Sequence, residues 1–256
     1  MKLFIRRFGQ GFPVIILHGL LGLSDNWVSF GRRMAADFDV IIPDLRNHGQ
    51  SPHSSVFDYP SLVEDLIEMI DELNQVEFFL IGHSLGGKIA MQYAFNHPER
   101  LKKLIVVDIS LRKYTANTKQ QELIDAMLAV NFSGVHSRLD IEQQLKQTVK
   151  SAKLRQFLMK NAVWSNKDHL AWRINLSSVN ENLPLIFEGV IPGKKYEKPV
   201  LFIRGGLSDY ISDNDLCGIY DCFPAASVKT IEKVTHWVHA DAPDEFYHLV
   251  RDFFDQ

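Results

Sequence analysis

The chain has 256 residues, of which 46% are hydrophobic and 23% charged, and its formal net charge is -3. This length suits one large α/β domain with an insertion and is sufficient to bury a substantial core. Without a basic excess, nucleic-acid binding is not expected, and no apolar run approaches the roughly 20 residues that span a bilayer. Because Met1 to Arg7 lacks the apolar region of a signal peptide, we expect a cytoplasmic protein without stable membrane insertion.

Cysteine and histidine usage predicts neither a disulfide framework nor a metal site. Cys217 and Cys222 are the only cysteines, and their spacing on a predicted helix does not place them on one face. The ten histidines lack a grouping such as H-E-x-x-H that would direct several ligands onto one ion. We therefore predict no metal and no cofactor.

Short β-branched or aromatic runs alternate with amphipathic stretches in the first half of the chain. This pattern is typical of an α/β protein with a mostly parallel central sheet and helices on both faces. Ser61 and Glu64 have the spacing of a capping box, and a later helix is predicted to end at His97 and Pro98. The predicted strands are Leu3 to Arg6, Val14 to Leu17, Val40 to Ile42, Phe78 to Ile81 and Leu104 to Val107.

The pattern changes after Leu111, where helical faces recur and strand signals are almost absent as far as Lys198. Thr118 with Gln121 predicts a helix start in this stretch. Strand-like runs then return at Val200 to Ile203 and at Val228 to Ile231. A closing helix is predicted near Asp241 and Pro243. The predicted domains are a core, residues 1–110 and 199–256, and a mostly helical cap inserted at residues 111–198.

A serine stands between the fourth predicted strand and the following helix. The five residues Gly82-His83-Ser84-Leu85-Gly86 spell G-x-S-x-G, the pattern of a strand-to-helix elbow that exposes a nucleophile. The flanking glycines fit such a turn because it forces strained backbone angles and a close strand-helix approach. Ser84 is therefore the candidate nucleophile.

Polar residues also follow the other predicted strands at their carboxyl ends, where open parallel sheets bind ligands. They are His18 and Gly19 after the second strand, Asp44 to Gly49 after the third, Asp108 and Ser110 after the fifth, Ser208 and Asp209 after the sixth, and His236 after the last.

A serine hydroxyl needs a base within hydrogen-bond reach, and that base needs a carboxylate to orient it. The chain order serine, aspartate, histidine is the one that α/β-hydrolases use, and His236 follows the last strand, where their base lies. His239, nearer the closing helix, is the competing base. The oxyanion of a tetrahedral intermediate needs two backbone N–H donors, and Leu20 and Leu85 occupy those positions.

The residues resemble the α/β-hydrolase fold and, more narrowly, small bacterial esterases of the YbfF type. The resemblance spans nearly the whole chain and implies hydrolysis of carboxylic esters, extending to acyl thioesters such as acyl-CoA. The motifs that carry it are His18 to Gly22, Asn26-Trp27, Asp44 to Pro52, Gly82 to Lys88, Val107 to Ile109 and His236 to His239.

The orienting carboxylate is where the sequence departs from the common α/β-hydrolase pattern. The usual aspartate follows the strand Val200 to Ile203, but Ser208 stands at the aligned position and Asp209 comes one residue later. The resembling esterases take the acid from the end of the preceding strand. That position maps onto Asp108, with Ser208 as an additional partner of the histidine. Asp108 is preferred here, and Asp209 remains the alternative.

Several other residues have a structural interpretation. A loop-stabilising hydrogen-bond network is expected for Arg46, Asn47 and His48 rather than chemistry. Apolar residues of the cap hold helices together more often than they face substrate. The residues concerned are Met127, Leu128, Phe157, Leu158, Trp164, Trp172 and Phe187.

The predicted function is that of a serine hydrolase, with Ser84 as nucleophile, His236 as general acid/base and Asp108 as orienting carboxylate. Its partner is a small-molecule acyl ester or thioester, and the oligomeric state is not predicted. One alternative is a carbon-carbon bond lyase or hydrolase of the menaquinone-pathway synthase type, whose DLPGHG-like loop is replaced here by Asp44 to Gly49. Others are an aspartate-nucleophile enzyme, which Ser84 disfavours, and a non-catalytic ligand-binding homologue.

Overall fold

The structure is a computed structural model that describes residues 1–115, 119–165 and 169–256. Its strands lie where short, β-branched segments are flanked by turns. They are β1 Ile5–Phe8, β2 Phe12–Leu17, β3 Phe38–Pro43, β4 Phe78–His83, β5 Leu101–Val107, β6 Ala162–Trp164, β7 Leu170–Trp172, β8 Val200–Gly205 and β9 Ala226–Ile231.

Seven of these strands form the main sheet in the order β1-β3-β2-β4-β5-β8-β9. Neighbouring strands are parallel except at one edge, where β1 pairs antiparallel with β3 and Ile5 lies opposite Pro43. This sheet has the predicted mostly parallel architecture. The chain moves from β2 outward to β3 and then returns to place β4 on the other side of β2. Such a reversal opens a crevice at the carboxyl ends of the two strands.

Helices connect the strands and end the chain. Among the described residues, no helix combines the length and the apolar character needed to span a membrane. The helices are α1 Val28–Met34, α2 Tyr59–Glu72, α3 Leu85–Asn96, α4 Lys119–Leu128, α5 Arg138–Thr148, α6 Ala152–Met159, α7 Leu176–Glu181, α8 Leu183–Ile186, α9 Leu216–Cys222, α10 Val238–Asp241 and α11 Pro243–Asp255.

Alternation along the buried strands divides the core into two layers, because successive side chains of a strand point to opposite faces. Ile15 and Leu17 of β2 pack in one cluster with residues of α2 and α3. Val14 and Ile16 pack in the other with residues of α1 and α11. Each strand is therefore apolar on both faces, which explains its nearly continuous hydrophobic sequence.

Three predicted details differ from the structure or lie outside it. The first long helix begins before Ser61, because the Asp58 side chain accepts from Ser61 N and Pro60 fits the first turn, where N–H groups have no helical partner. The predicted helix start at Thr118 lies outside the described residues. The short hairpin formed by β6 and β7 is not predicted, because three-residue strands carry too little periodicity.

The segment between β5 and β8 packs against the loops at the carboxyl ends of the sheet. Asn175 N donates to Asn47 O at 2.9 Å, and Asn161 Nδ2 donates to Leu21 O at 2.8 Å. From the core side, the Tyr59 hydroxyl donates to Ile186 O at 2.6 Å. These contacts hold the segment over the crevice described above.

Candidate active site

Ser84 occupies a strained turn between β4 and α3. Its φ of 52° and ψ of -117° lie outside the regions that a serine normally adopts. Hydrogen bonds fix the turn, since Ser84 N donates to Val107 O of the next strand at 3.0 Å and Lys88 N donates to Ser84 O at 3.1 Å. The side chain is 9% exposed and lines the main cavity. The turn thus presents the hydroxyl from the end of the central strand.

The glycines of the elbow are required by close backbone packing. A Cβ at Gly82 would overlap Gly86 O, and a Cβ at Gly86 would overlap Leu17 O of the adjacent strand. Neither contact could be relieved by a side-chain rotation, because each involves backbone. The G-x-S-x-G spacing is therefore a packing requirement of this turn.

His236 and Asp108 meet beside Ser84, although they lie far apart in sequence. His236 Nδ1 is 2.8 Å from Asp108 Oδ2, and because a carboxylate can only accept, the Nδ1–H donates this hydrogen bond. Asp108 is fully buried after β5 and also accepts from Gly205 N at 2.9 Å. No direct hydrogen bond joins Ser84 Oγ to His236 among the described residues, but both side chains line one cavity. Catalytic hydrogen bonds often tighten only when substrate is bound.

The other predicted acid and its neighbour have different contacts. In the described part of the chain, the Asp209 carboxylate makes no hydrogen bond to His236, and only its main-chain oxygen accepts, from Arg112. Ser208 was expected to be an additional partner of the histidine, but no direct hydrogen bond joins the two among the described residues. The Ser208 hydroxyl instead donates to Asp108 Oδ2, because the turn after β8 points it at the buried carboxylate.

His239 also lines the cavity, but among the described residues the Asp108 carboxylate bonds to His236 and not to His239. Its ring stacks on Trp27 with the centroids 3.9 Å apart and the planes at 14°. Burial, together with His236 and two lysines, lowers the pKa of His239 to about 3, so its ring stays neutral. His83 is also neutral, since burial and the neighbouring histidines hold its pKa well below the ordinary value. Its Nε2 donates to His236 O at 2.9 Å and steadies the loop that carries the candidate base.

The two predicted oxyanion donors face the same space. Leu20 and Leu85 both line the cavity, and neither N–H takes part in a hydrogen bond between described residues. Leu85 is the first residue of α3, where an N–H has no helical acceptor. Both N–H groups therefore have no acceptor among the described residues, and their role as oxyanion donors stays a prediction.

A buried network holds the Leu20 loop in place. Leu45 N donates to His18 Nε2 at 3.0 Å, and Leu21 N donates to His48 Nε2 at 3.2 Å. Arg46 pairs through two nitrogens with the buried Asp65 carboxylate. The hydrogen-bond network predicted around Arg46, Asn47 and His48 is therefore present, with Asn47 also bonding to the segment between β5 and β8.

Ser84, His236, Leu20 and Leu85 line a cavity of about 760 Å³. Of the seven apolar residues considered for the predicted cap, Phe157 and Phe187 line it. Met127 and Leu158 are instead buried in the core, which follows the helix-packing interpretation. The cavity walls are mainly apolar, as a site for an acyl or alkyl chain requires.

Two lining residues were not identified from the sequence. Tyr210 stacks on the His236 ring, with the centroids 3.9 Å apart and the planes at 20°. Lys88, four residues beyond Ser84, is 2% exposed yet borders the cavity. The position of Lys88 one helical turn after the nucleophile could have indicated its proximity. Nothing in the local sequence marks Tyr210.

No set of three or more histidine, cysteine, aspartate or glutamate side chains in the described ranges could hold a metal ion. The groups assembled around Ser84 are instead a hydroxyl, an imidazole, a buried carboxylate and two free backbone donors. Chemically, this set can perform nucleophilic attack, proton transfer and oxyanion stabilisation.

The sequence matches the alpha/beta hydrolase fold family over residues 13–243. The chain therefore belongs to this family, and the resemblance and fold class predicted from the sequence are confirmed.

Individual relatives cover almost all of the chain. The sn-1-specific diacylglycerol lipase ABHD11 of Danio rerio is 37% identical over 251 residues, which are 96% of this chain and 79% of the relative. Esterase YbfF of Escherichia coli is 31% identical over 244 residues, which are 95% of this chain and 93% of the relative. A solved marine microorganism esterase has a TM-score of 0.96 and 39% identity, covering 98% of this chain and 99% of its own.

Proposed function

We propose that this protein is a serine hydrolase that cleaves carboxylic esters through an acyl-enzyme on Ser84. The observation that carries the proposal is the buried Asp108 carboxylate bonded to His236 Nδ1 beside the strained Ser84 turn. Relatives with 31% and 39% identity along nearly the whole chain are named esterases, which supports the same chemistry.

In the proposed reaction, His236 Nε2 takes the proton of Ser84 Oγ as the oxygen attacks the ester carbonyl. Asp108 holds the imidazole in the required tautomer and stabilises the imidazolium. The N–H groups of Leu20 and Leu85 stabilise the oxyanion. His236 then protonates the departing alcohol, and a water molecule, deprotonated by the same ring, hydrolyses the acyl-enzyme.

Supporting roles are proposed for the groups behind the reacting atoms. Ser208 and Gly205 N hold Asp108 in place, because each donates to one of its oxygens. Tyr210 limits rotation of the His236 ring by stacking on it. Ser208 therefore acts as a positioning residue.

We further propose that residues 111–198 form a cap that closes the cavity and shapes the acyl site. Lining residues such as Phe157 and Phe187 come from this segment, which supports that role. Thioesters belong to the proposed substrate range, because the same acyl-enzyme forms from either leaving group. A cytoplasmic location stays a prediction from the sequence.

Purified protein is expected to hydrolyse p-nitrophenyl butyrate and longer acyl esters, and Ser84→Ala is expected to lower kcat by at least about 10⁴-fold. The measurement is initial-rate kinetics, with circular dichroism to establish that the variant is folded. The variant removes only the oxygen atom that is proposed to attack the ester. Turnover by folded Ser84→Ala at the wild-type rate would therefore contradict the mechanism.

A further inference from the structure

One cation in the cavity wall has no function in the proposed reaction. Lys88 projects from α3, one turn after Ser84, and is 2% exposed while bordering the cavity. Its Nζ donates to Glu188 O and lies 4.9 Å from the centre of the Tyr114 ring and 5.9 Å from that of Tyr59. Burying an ammonium group is costly unless its charge is compensated.

The compensation around Lys88 is incomplete. In the ranges that the structure describes, no carboxylate forms an ion pair with Lys88 Nζ, and the carboxylate of Glu188 pairs with Lys113. One carbonyl and two ring faces supply only partial negative charge to a group with three donors. Burial, opposed by Glu188 and reinforced by Arg112, lowers the pKa of Lys88 to about 8. Near neutral pH the group is therefore mostly a cation, on a side chain that borders a mainly apolar cavity.

The other charged side chains of the described cavity wall are also mostly cations. The wall includes four further cations, Arg112, Lys119, Lys153 and Lys160, and a single carboxylate, Asp209. The chain as a whole has a net charge of -3, so this excess is local. Three of the four have carboxylate partners, namely Asp215, Asp241 and Asp25. Lys88 is buried and has no carboxylate partner among the described residues.

We propose that Lys88 is a specificity-determining residue, which binds a carboxylate carried by the substrate several atoms from the scissile ester. The preferred substrates would then be half-esters and related carboxylated esters rather than hydrocarbon esters of equal length. This inference rests on the proposed ester hydrolysis. A charge-assisted hydrogen bond in a buried site favours the carboxylated ester about ten- to hundredfold.

Matched substrate pairs test the proposal. In the first pair, monoethyl adipate carries a carboxylate on the acyl side and ethyl heptanoate is its uncharged match. In the second pair, 4-(butyryloxy)butanoate carries the carboxylate on the alcohol side and pentyl butyrate is its uncharged match. The readout is the ratio of kcat/KM within each pair, measured by titration of released acid. We expect the ratio of at least one pair to favour the carboxylated ester in wild type and to fall about tenfold or more in Lys88→Met.

Lys119→Met is the control for general electrostatic attraction, because Lys119 lines the same cavity but is exposed. We expect it to change the ratio less than about threefold, and the wild-type ratio to persist between about 0.05 and 0.5 M salt. Ratios that are unchanged in Lys88→Met, or lowered equally in Lys119→Met, would overturn the proposal. If no ester of either pair is hydrolysed, the proposed function itself fails.

The wild-type protein provides a second test that needs no folded variant. Because the Lys88 ammonium is charged below its pKa of about 8, the preference should be full at lower pH and decline as pH rises through that value. A pH effect on the shared catalytic steps affects both members of a pair and cancels in the ratio. The charged or titratable groups facing Lys88 are Tyr59, Tyr114, Arg112 and Glu188. A ratio that is flat from about pH 6 to pH 10 would overturn the proposal.

Discussion

Asp108 accepts three hydrogen bonds at the end of β5, from His236 Nδ1, Gly205 N and the Ser208 hydroxyl. All three partners are donors, so the site is suited to an ionised carboxylate and unsuited to an amide, whose NH₂ group would face a donor. The buried carboxylate therefore determines both the position and the tautomer of the imidazole. Sequence spacing alone left Asp108 and Asp209 as alternatives. Asp209 lies one residue after the usual position of the acid, and a loop can adjust its conformation to such a one-residue shift.

Asp108→Asn is expected to lower kcat by about 10³- to 10⁴-fold, because the amide disturbs the histidine tautomer. Asp209→Asn is the matched change one residue beyond Ser208, and it should keep kcat within about tenfold of wild type. Initial rates with one ester substrate compare the two variants. A larger loss in Asp209→Asn than in Asp108→Asn would assign the acid to Asp209.

At the scale of secondary structure, the predicted positions of β2, β4 and β8 overlap the observed strands. These strands are buried on both faces, and continuous apolar runs bounded by turns identify them well. The edge strand β1 is observed at Ile5–Phe8 rather than at Leu3 to Arg6, because its register depends on pairing with β3. In addition, Phe4 N is taken by the Ser51 hydroxyl, a contact distant in sequence that a local pattern cannot show.

The elbow provides a prediction at this scale. Gly86→Ala should lower the free energy of unfolding by about 2–4 kcal/mol, because the new Cβ would overlap backbone atoms of Leu17. Gly218→Ala, in α9, is the matched control, since a Cβ there meets nothing within 4 Å. The control should change stability by less than about 1 kcal/mol, in the direction of greater stability. Urea unfolding measures both, and equal losses would refute the packing requirement.

At the scale of the whole molecule, the sheet order brings together groups from distant parts of the chain. Ser84 follows the central strand β4, Asp108 follows its neighbour β5, and His236 follows the last strand β9. Because the carboxyl ends of parallel strands meet at one edge, chain order and strand assignment were enough to predict this grouping.

The shape of the cavity could not be predicted in the same way. It depends on how residues from the segment between β5 and β8 pack over the sheet, and their contacts are long-range. Periodicity identifies helices in that segment but not which of their side chains face inward. For this reason the sequence could not show that Phe157 and Phe187 line the cavity while Met127 and Leu158 are buried in the core.

Covalent labelling of the nucleophile tests the central claim most directly. A fluorophosphonate reacts with a serine only where a base and an oxyanion site activate it. Intact-protein mass spectrometry should show one adduct on the wild-type chain, peptide mapping should place it on Ser84, and folded Ser84→Ala should carry none. An adduct on another residue, or full labelling of Ser84→Ala, would contradict the assignment of Ser84 as the nucleophile.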